Sequence, residues 1–329
     1  METLNKQIIG ENIPIFIRES LDDTGDHRCI NHSPDIIVQK IKLSDPIKYL
    51  VNTYSSDISQ DGDGSGKMYI YVRFKNTSKY SVENFYIHLY RNHLGLYNAP
   101  SDWKNYELRT EDGTPAKISS VAPGEIGVSP AFVYENLNVG IHPNCFVAVA
   151  TKEKNPDFSS INNNNKYKEW IDQKNVAARN VSVRQFPKGR SEQFIKISNI
   201  EDNDVSVGLY VLVQGKTPSG TKYGIQNDEL GIKDEYIFIK EDNKSSYIFL
   251  TAILPAKYSG ELLVWSEVPE SGTADILVTF WKMENAINGK LEQCAVYINN
   301  MLTDGDKKEY FFKDELHLLG GCNVINIVE

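Results

Sequence analysis

The stretch Tyr69-Ile-Tyr-Val-Arg-Phe-Lys-Asn76 runs into Thr77-Ser-Lys-Tyr80 and then into Val82 to Tyr90. The first segment is rich in Tyr, Ile, Val and Phe, side chains that fit a pleated, half-buried surface. The third sets Phe85, Ile87 and Leu89 against Tyr86, His88 and Tyr90, the two-residue period of a strand with one face toward a core. The polar residues between them read as a turn.

The same order recurs in the second half of the chain. Gln193-Phe-Ile-Lys-Ile-Ser-Asn199 ends on Asn, Glu201-Asp-Asn-Asp204 follows, and Val205 to Val213 is apolar again. Further along, Val121-Ala-Pro-Gly124 precedes one later strand pair, and Pro255 to Gly260 turns from Ser245–Leu254 into Glu261–Val268. An internal repeat of this kind marks a repeated structural unit. Each strand–Asn–turn–strand reads as a hairpin, and two hairpins stacked face to face make a sandwich core. Other strand candidates are Cys145–Thr151 and Ile276–Met283, and helical periodicity is confined to Lys166–Lys174 and, more weakly, Lys282–Lys290. The expected fold is all-β: two tandem immunoglobulin-like β-sandwich domains. The expected boundaries are residues 1–32 as an N-terminal arm, 33–184 and 185–300 as the sandwiches, and 301–329 as a tail that completes the second sandwich or adds a strand to a partner. Two loops, Ser55–Lys67 and Ser159–Asn165, read as exposed and mobile.

With 329 residues, 40% hydrophobic and 24% charged, the chain is long enough for about two domains. Its net charge of −9, with no basic run longer than Lys188–Arg190, argues against a nucleic-acid partner. No apolar stretch approaches membrane-helix length, and Met1–Glu11 lacks the apolar core of a secretion signal. A cytoplasmic protein, or one exported without a cleaved signal peptide, is the expectation. The four cysteines, Cys29, Cys145, Cys294 and Cys322, form no CxxC pair, and reduced thiols are expected.

Ser33-Pro-Asp-Ile-Ile-Val38, Met68-Tyr-Ile-Tyr-Val-Arg-Phe-Lys-Asn76, Val121-Ala-Pro-Gly124 and Asn175-Val-Ala-Ala-Arg-Asn180 before Val181–Val183 occur in that order. Over roughly half of the chain this order resembles the CARDB group, the cell-adhesion-related domains found in bacteria, and implies an immunoglobulin-like binding module. Pro14 to Gly25 followed by Ser33-Pro-Asp35 is similar to the head of accessory domains on bacterial secreted proteins and proteases, here without a protease sequence. The second half matches only a generic immunoglobulin-like pattern.

Several constellations bear on chemistry. Asp57, Asp61, Asp63 and Ser65 place oxygens along a Gly-rich loop, as a calcium site requires. The twelfth position counted from Asp61 is Val72, so this is no EF-hand, and a solvated polar loop between strands is the simpler reading. Asp22, Asp23, Asp26, His27, Cys29 and His32 could serve zinc or a metal-dependent hydrolase, though they lack a second ligand cluster downstream. No GxSxG or HExxH motif occurs, and Cys145 and His88 fall within strands. Tyr86, Tyr90, Tyr97 and Trp103 are candidates for an aromatic binding surface or a carbohydrate platform. Sheet packing explains the same residues. The function expected is non-enzymatic protein–protein contact through surfaces and sheet edges, in a bacterial adhesion, toxin or injection assembly. Carbohydrate binding is the alternative.

Overall fold

The computed structural model describes residues 13–25, 33–60, 66–93, 95–96, 104–136, 144–161, 163–171, 173–181, 183–186, 189–214, 217–239, 246–269, 271–283, 298 and 316–328. The chain is all-β, with its strands paired almost throughout antiparallel, and it divides into two compact units. The first comprises residues 1–93, 99–140 and 144–181. The second comprises 94–98, 141–143 and 182–329.

In chain order the first unit holds β1 (Ile15–Phe16), β2 (Ile36–Gln39), α1 (Pro46–Asn52), β3 (Gly66–Asn76) and β4 (Val82–His93). After β5 (Gly95–Leu96), which belongs to the second unit, come β6 (Glu107–Thr110), β7 (Ala116–Val121), β8 (Ile126–Val128), β9 (Phe132–Asn136), β10 (Asn144–Thr151), α2 (Asn164–Ile171) and β11 (Val176–Val181). One group of strands gathers on β3, which pairs with β1, β2, β8 and β9. The other runs β7–β4–β10–β11. Strand β6 pairs with both β4 and β9 and joins the two groups. Ile70, Val72 and Phe74 of β3, Phe85, Ile87 and Leu89 of β4, and Phe146, Ala148 and Ala150 of β10 meet in one core. Phe74 and Phe85 are edge to face with ring centroids 5.5 Å apart. Burial of each large apolar side chain contributes about 1.5–3 kcal/mol before conformational entropy is charged against it.

The second unit continues with β12 (Val183–Phe186), β13 (Arg190–Ser198), β14 (Val205–Gln214), β15 (Lys222–Asn227), β16 (Ile232–Ile237), β17 (Ser246–Leu254), β18 (Ser259–Glu267), β19 (Gly272–Met283) and β20 (Leu316–Val328). One sheet is ordered β12–β20–β19–β14–β17 and the other β16–β15–β18–β13–β5. Val207, Leu209, Val211 and Val213 of β14 are buried, and Leu209, Val211 and Val213 lie opposite Phe280, Val278 and Ile276 of β19.

The two units share a pairing scheme. Strand β3 pairs with β8 and β9 as β13 pairs with β18. Strand β4 lies between β7 and β10 as β14 lies between β17 and β19. Strands β6 and β15 pair with β9 and β18 respectively.

This scheme corrects the expected hairpins. Neither β3 with β4 nor β13 with β14 is a pair; in each unit the chain crosses from one set of strands to the other at the Asn. The Asn76 side-chain amide donates to the carbonyls of Tyr80 (2.7 Å) and Val121 (3.0 Å), and its oxygen accepts from the Ser78 amide (2.9 Å). The Asn199 amide donates to the carbonyls of Asn203 (2.8 Å), Leu254 (3.1 Å) and Pro255 (2.9 Å), and its oxygen accepts from the Glu201 amide (2.9 Å). Both residues are buried. At a corner the ladder stops, and the side-chain amide supplies a donor to the carbonyl of a buried strand-end residue, Val121 or Leu254.

Other expectations also change. From Ile13 onward the supposed N-terminal arm belongs to the first unit: β1 pairs with β3, and Ile13, Ile15 and Ile17 enter its core. The chain passes between units at 181/182, and Val183–Phe186 is already a strand of the second. Within Ser159–Asn165, Phe158–Ser160 is a 3-10 turn with Phe158 buried, and α2 starts at Asn164. Lys282 and Met283 close β19 rather than open a helix, and the rest of that expected helix lies outside the described residues. A short helix, α1, was not anticipated. Asp45 caps it by accepting from the Lys48 amide, Pro46 pre-sets its first turn, and Leu50 packs with Ile37, Tyr71 and Ala131.

Candidate binding edge

Tyr90, a candidate for an aromatic surface or for sheet packing, is buried with its ring edge to face against Phe158 at 5.3 Å, and Phe158 in turn meets Trp170 at 5.7 Å. Burial pushes the Tyr90 hydroxyl pKa far upward. Tyr86 is half-buried, 6.2 Å from the His88 ring. Tyr97 and Trp103 lie outside the described residues. Tyr90 is therefore core, because β4 is packed on both faces.

His88 is buried and hydrogen-bonded through both ring nitrogens. Its Nδ1 lies 2.7 Å from Glu107 Oε1 and its Nε2 lies 3.0 Å from the Glu153 carbonyl. With both ring nitrogens engaged, it has none left to exchange a proton with a substrate. The Cys145 thiol is free and buried, and burial pushes its pKa up to about 12. A thiol held protonated in this way is a poor nucleophile.

The calcium candidates divide. Asp57 Oδ2 pairs with Arg179 at 2.9 Å and Oδ1 accepts from the Ser59 amide at 3.1 Å, so both oxygens are occupied and a cation already sits beside them. Asp61, Asp63 and Ser65 lie outside the described residues. Residues 57–60 are not a free loop: the Gln60 amide donates to the Val38 carbonyl, and Ser59 accepts from the Val38 amide. In the N-terminal cluster, Asp23 accepts from the Glu19 and Gly25 amides and Asp22 from Ser20. Asp26, His27, Cys29 and His32 are outside the described residues. Among the described residues no group of three His, Cys, Asp or Glu is placed to hold a metal.

The first unit instead contains a buried ionic knot. Arg18 grips Asp35 with Nε (2.9 Å) and Nη2 (2.7 Å), and Arg73 Nε adds a third charged bond at 3.0 Å. Arg73 also donates to the carbonyls of Pro34 (2.6 Å), Thr53 (2.7 Å) and Ser56 (3.1 Å). The Arg18 guanidinium lies 3.5 Å from the Tyr54 ring centroid. Burial pushes the Tyr54 hydroxyl up to about 12. The bonding of this knot is internal, and it clamps the residues 50–57 excursion onto the outer face of β3.

A different signal appears where the sheets stop. Among the described residues, β17 is a terminal strand that pairs only with β14. Ser246-Tyr-Ile-Phe-Leu-Thr-Ala-Ile-Leu254 contains no charged residue and no Pro or Gly. Ile253 is 64% exposed and Tyr247 38%, and Thr251 is exposed. The outward row is ordered from within: Tyr247 stacks on Tyr210 with centroids 5.1 Å apart, and Phe249 lies over Gly208, where an added Cβ would come within 2.9 Å of the ring. A long, apolar, uncharged edge is what soluble proteins ordinarily avoid, because its unpaired backbone groups are a template for another strand. Among the other terminal strands of the second unit, β16 carries Lys233, Asp234 and Glu235 before the exposed Tyr236 and Ile237.

In the C-terminal tail the described residues 316–328 form β20. Strand β20 pairs with β19 along its whole length and, on its other side, with β12 at Ile325–Val328. Gly321 and Gly320 lie opposite Thr279 and Phe280, next to a register shift between Phe280 and Trp281 at which Leu319 is the extra residue. Sequence reading anticipated edges in general but not β17; the signal for it was nine strand-forming residues without a charge.

No family model and no curated protein matches the chain. Among solved structures it is similar to the collagen adhesin of Staphylococcus aureus, at 11% identity over 80% of this chain and 87% of that one, with a TM-score of 0.19. It is also similar to the secreted serine protease VesC of Vibrio cholerae, at 9% identity over 62% and 44%, with a TM-score of 0.21. CfaE, the adhesive subunit of the CFA/I fimbria of enterotoxigenic Escherichia coli, gives 12% identity over 96% and 93%, with a TM-score of 0.21. At these scores the likenesses carry no argument about function. Among the described residues no helix is long and apolar enough to cross a membrane.

Proposed function

We propose that the protein is a non-enzymatic binding module and that a protein partner docks by adding a strand to the edge of β17. The observation that carries this is the exposed, uncharged nine-residue edge strand. Backbone hydrogen bonds along such an edge supply affinity, and the outward side chains at alternate positions supply selectivity. Thr251 and Ile253 are the exposed side chains a partner would meet. A CARDB-like first unit and service in a bacterial adhesion, toxin or injection assembly belong to the same reading and rest on the ordered sequence motifs.

The test compares the wild-type chain with Thr251→Lys on β17 and Ser120→Lys on β7 as immobilised baits in extract from the source cells. A protein retained by the wild type and Ser120→Lys but lost with Thr251→Lys supports docking at β17. Equal retention by all three contradicts it.

A further inference from the structure

We infer that the strand added at β17 is β17 of a second copy of this chain, paired antiparallel about a two-fold axis through Leu250. The inference rests on the proposed docking edge and names its occupant. Three observations select a second copy.

First, the chain carries a net charge of −9, so two copies repel wherever acidic surfaces meet. Strand β17 has no charge at all, and self-pairing there sets no like charges opposite one another. Strand β16 behaves differently, since a copy of itself would bring the Asp234–Glu235 pair against its own kind.

Second, β17 is complementary to itself. Antiparallel pairing centred on Leu250 places Tyr247 opposite Ile253 and Phe249 opposite Thr251. Each is an aromatic residue against a β-branched one, a favourable cross-strand combination. The two-fold repeats each pair, as an isologous interface requires.

Third, the aromatic members are already held in place. Tyr247 is stacked on Tyr210, and Phe249 is seated over Gly208. Ile253 and Thr251, which would receive them, are exposed. The edge therefore presents a formed surface that needs no rearrangement before pairing.

Light scattering on a size-exclusion column, run over a dilution series, tests this. The wild-type chain is expected to elute with twice the mass of one chain and to dissociate on dilution. Thr251→Lys and Ile253→Lys, each at an exposed position, are expected to halve the mass, with Ser120→Lys on β7 remaining a dimer. Circular dichroism melting shows whether each variant is folded. A wild-type chain that stays monomeric at the highest soluble concentration overturns the self-pairing while leaving β17 available to a foreign strand, which the bait comparison above decides. A dimer unaffected by either folded β17 variant places the interface elsewhere and overturns the inference as well.

Discussion

Strands β7 and β17 hold the same place in the pairing schemes of the two units, and their chemistry is opposite. Among the described residues each is the terminal neighbour of the strand that follows the Asn corner, and each ends at the carbonyl to which that Asn donates, Val121 or Leu254. Strand β7, Ala116-Lys-Ile-Ser-Ser-Val121, is six residues long and exposes Lys117, Ser119 and Ser120. Strand β17 has nine residues, no charge, and exposed Tyr247, Thr251 and Ile253. Shortness and an edge lysine are ordinary ways to blunt an edge against pairing. The first unit uses them at the position where the second does not. The core requires the pairing scheme and leaves the outer edge free to differ, and that difference is the ground for the docking proposed at β17.

The units also differ in what covers their outer faces, and the largest expected effect follows from that. Asp35→Ala leaves Arg18 and Arg73 buried without their carboxylate. It should destabilise the first unit by about 3–5 kcal/mol, read as loss of its thermal transition while exchange protection in the second unit persists. No buried knot of this kind occurs among the described residues of the second unit. Loss of both units together would show that they do not unfold separately.

The corners should behave alike where the edges do not. Asn76→Ala and Asn199→Ala each strip donors from buried carbonyls, and each should cost about 1–3 kcal/mol by urea denaturation. A much smaller cost at one of them would mean that its carbonyls find water. Gly208→Val would push Phe249 off its seat and should cost roughly 1–3 kcal/mol. It should also weaken self-association, because Phe249 opposes Thr251 across the proposed two-fold.

The Asn corners were visible in the sequence as a repeat, and so was the all-β class, because alternation at Phe85, Ile87 and Leu89 reports directly on one buried face. What the Asn does was not visible. A strand–Asn–turn–strand segment looks the same whether the second strand pairs with the first or crosses to another sheet; the choice lies in partners tens of residues away, Val121 for Asn76 and Leu254 for Asn199. For Tyr90 the sequence offers both a binding surface and sheet packing, and only the fold decides between them: α2 and the 3-10 turn bring Trp170 and Phe158 over its face. The β17 edge was written in the sequence as an absence of charge, which gains meaning only once its terminal place in the sheet is known.

Smaller effects sharpen the comparison further. The turns after β7 and β17 are alike, with the Glu125 amide donating to Ala122 and the Tyr258 amide to Pro255. Gly124 holds the left-handed position in one, at φ 72°, and Lys257 in the other, at φ 55°. A non-glycine residue there costs roughly 1–2 kcal/mol. Lys257→Gly should therefore raise the stability of the second unit, less the exposed contacts of the Lys257 ammonium with Ile200 and Asp202. Thr251→Lys should change monomer stability by no more than about 0.5 kcal/mol, since its side chain is exposed.

Hydrogen–deuterium exchange of the full chain, measured dilute and concentrated, tests the central claim most directly, with β7 as the internal reference. Amides of Ser246–Leu254 should gain protection as concentration rises, and those of Ala116–Val121 should exchange at the same rate throughout. Concentration-independent exchange in β17, or protection that rises equally in β7, would contradict the assignment of β17 as the edge through which this protein associates.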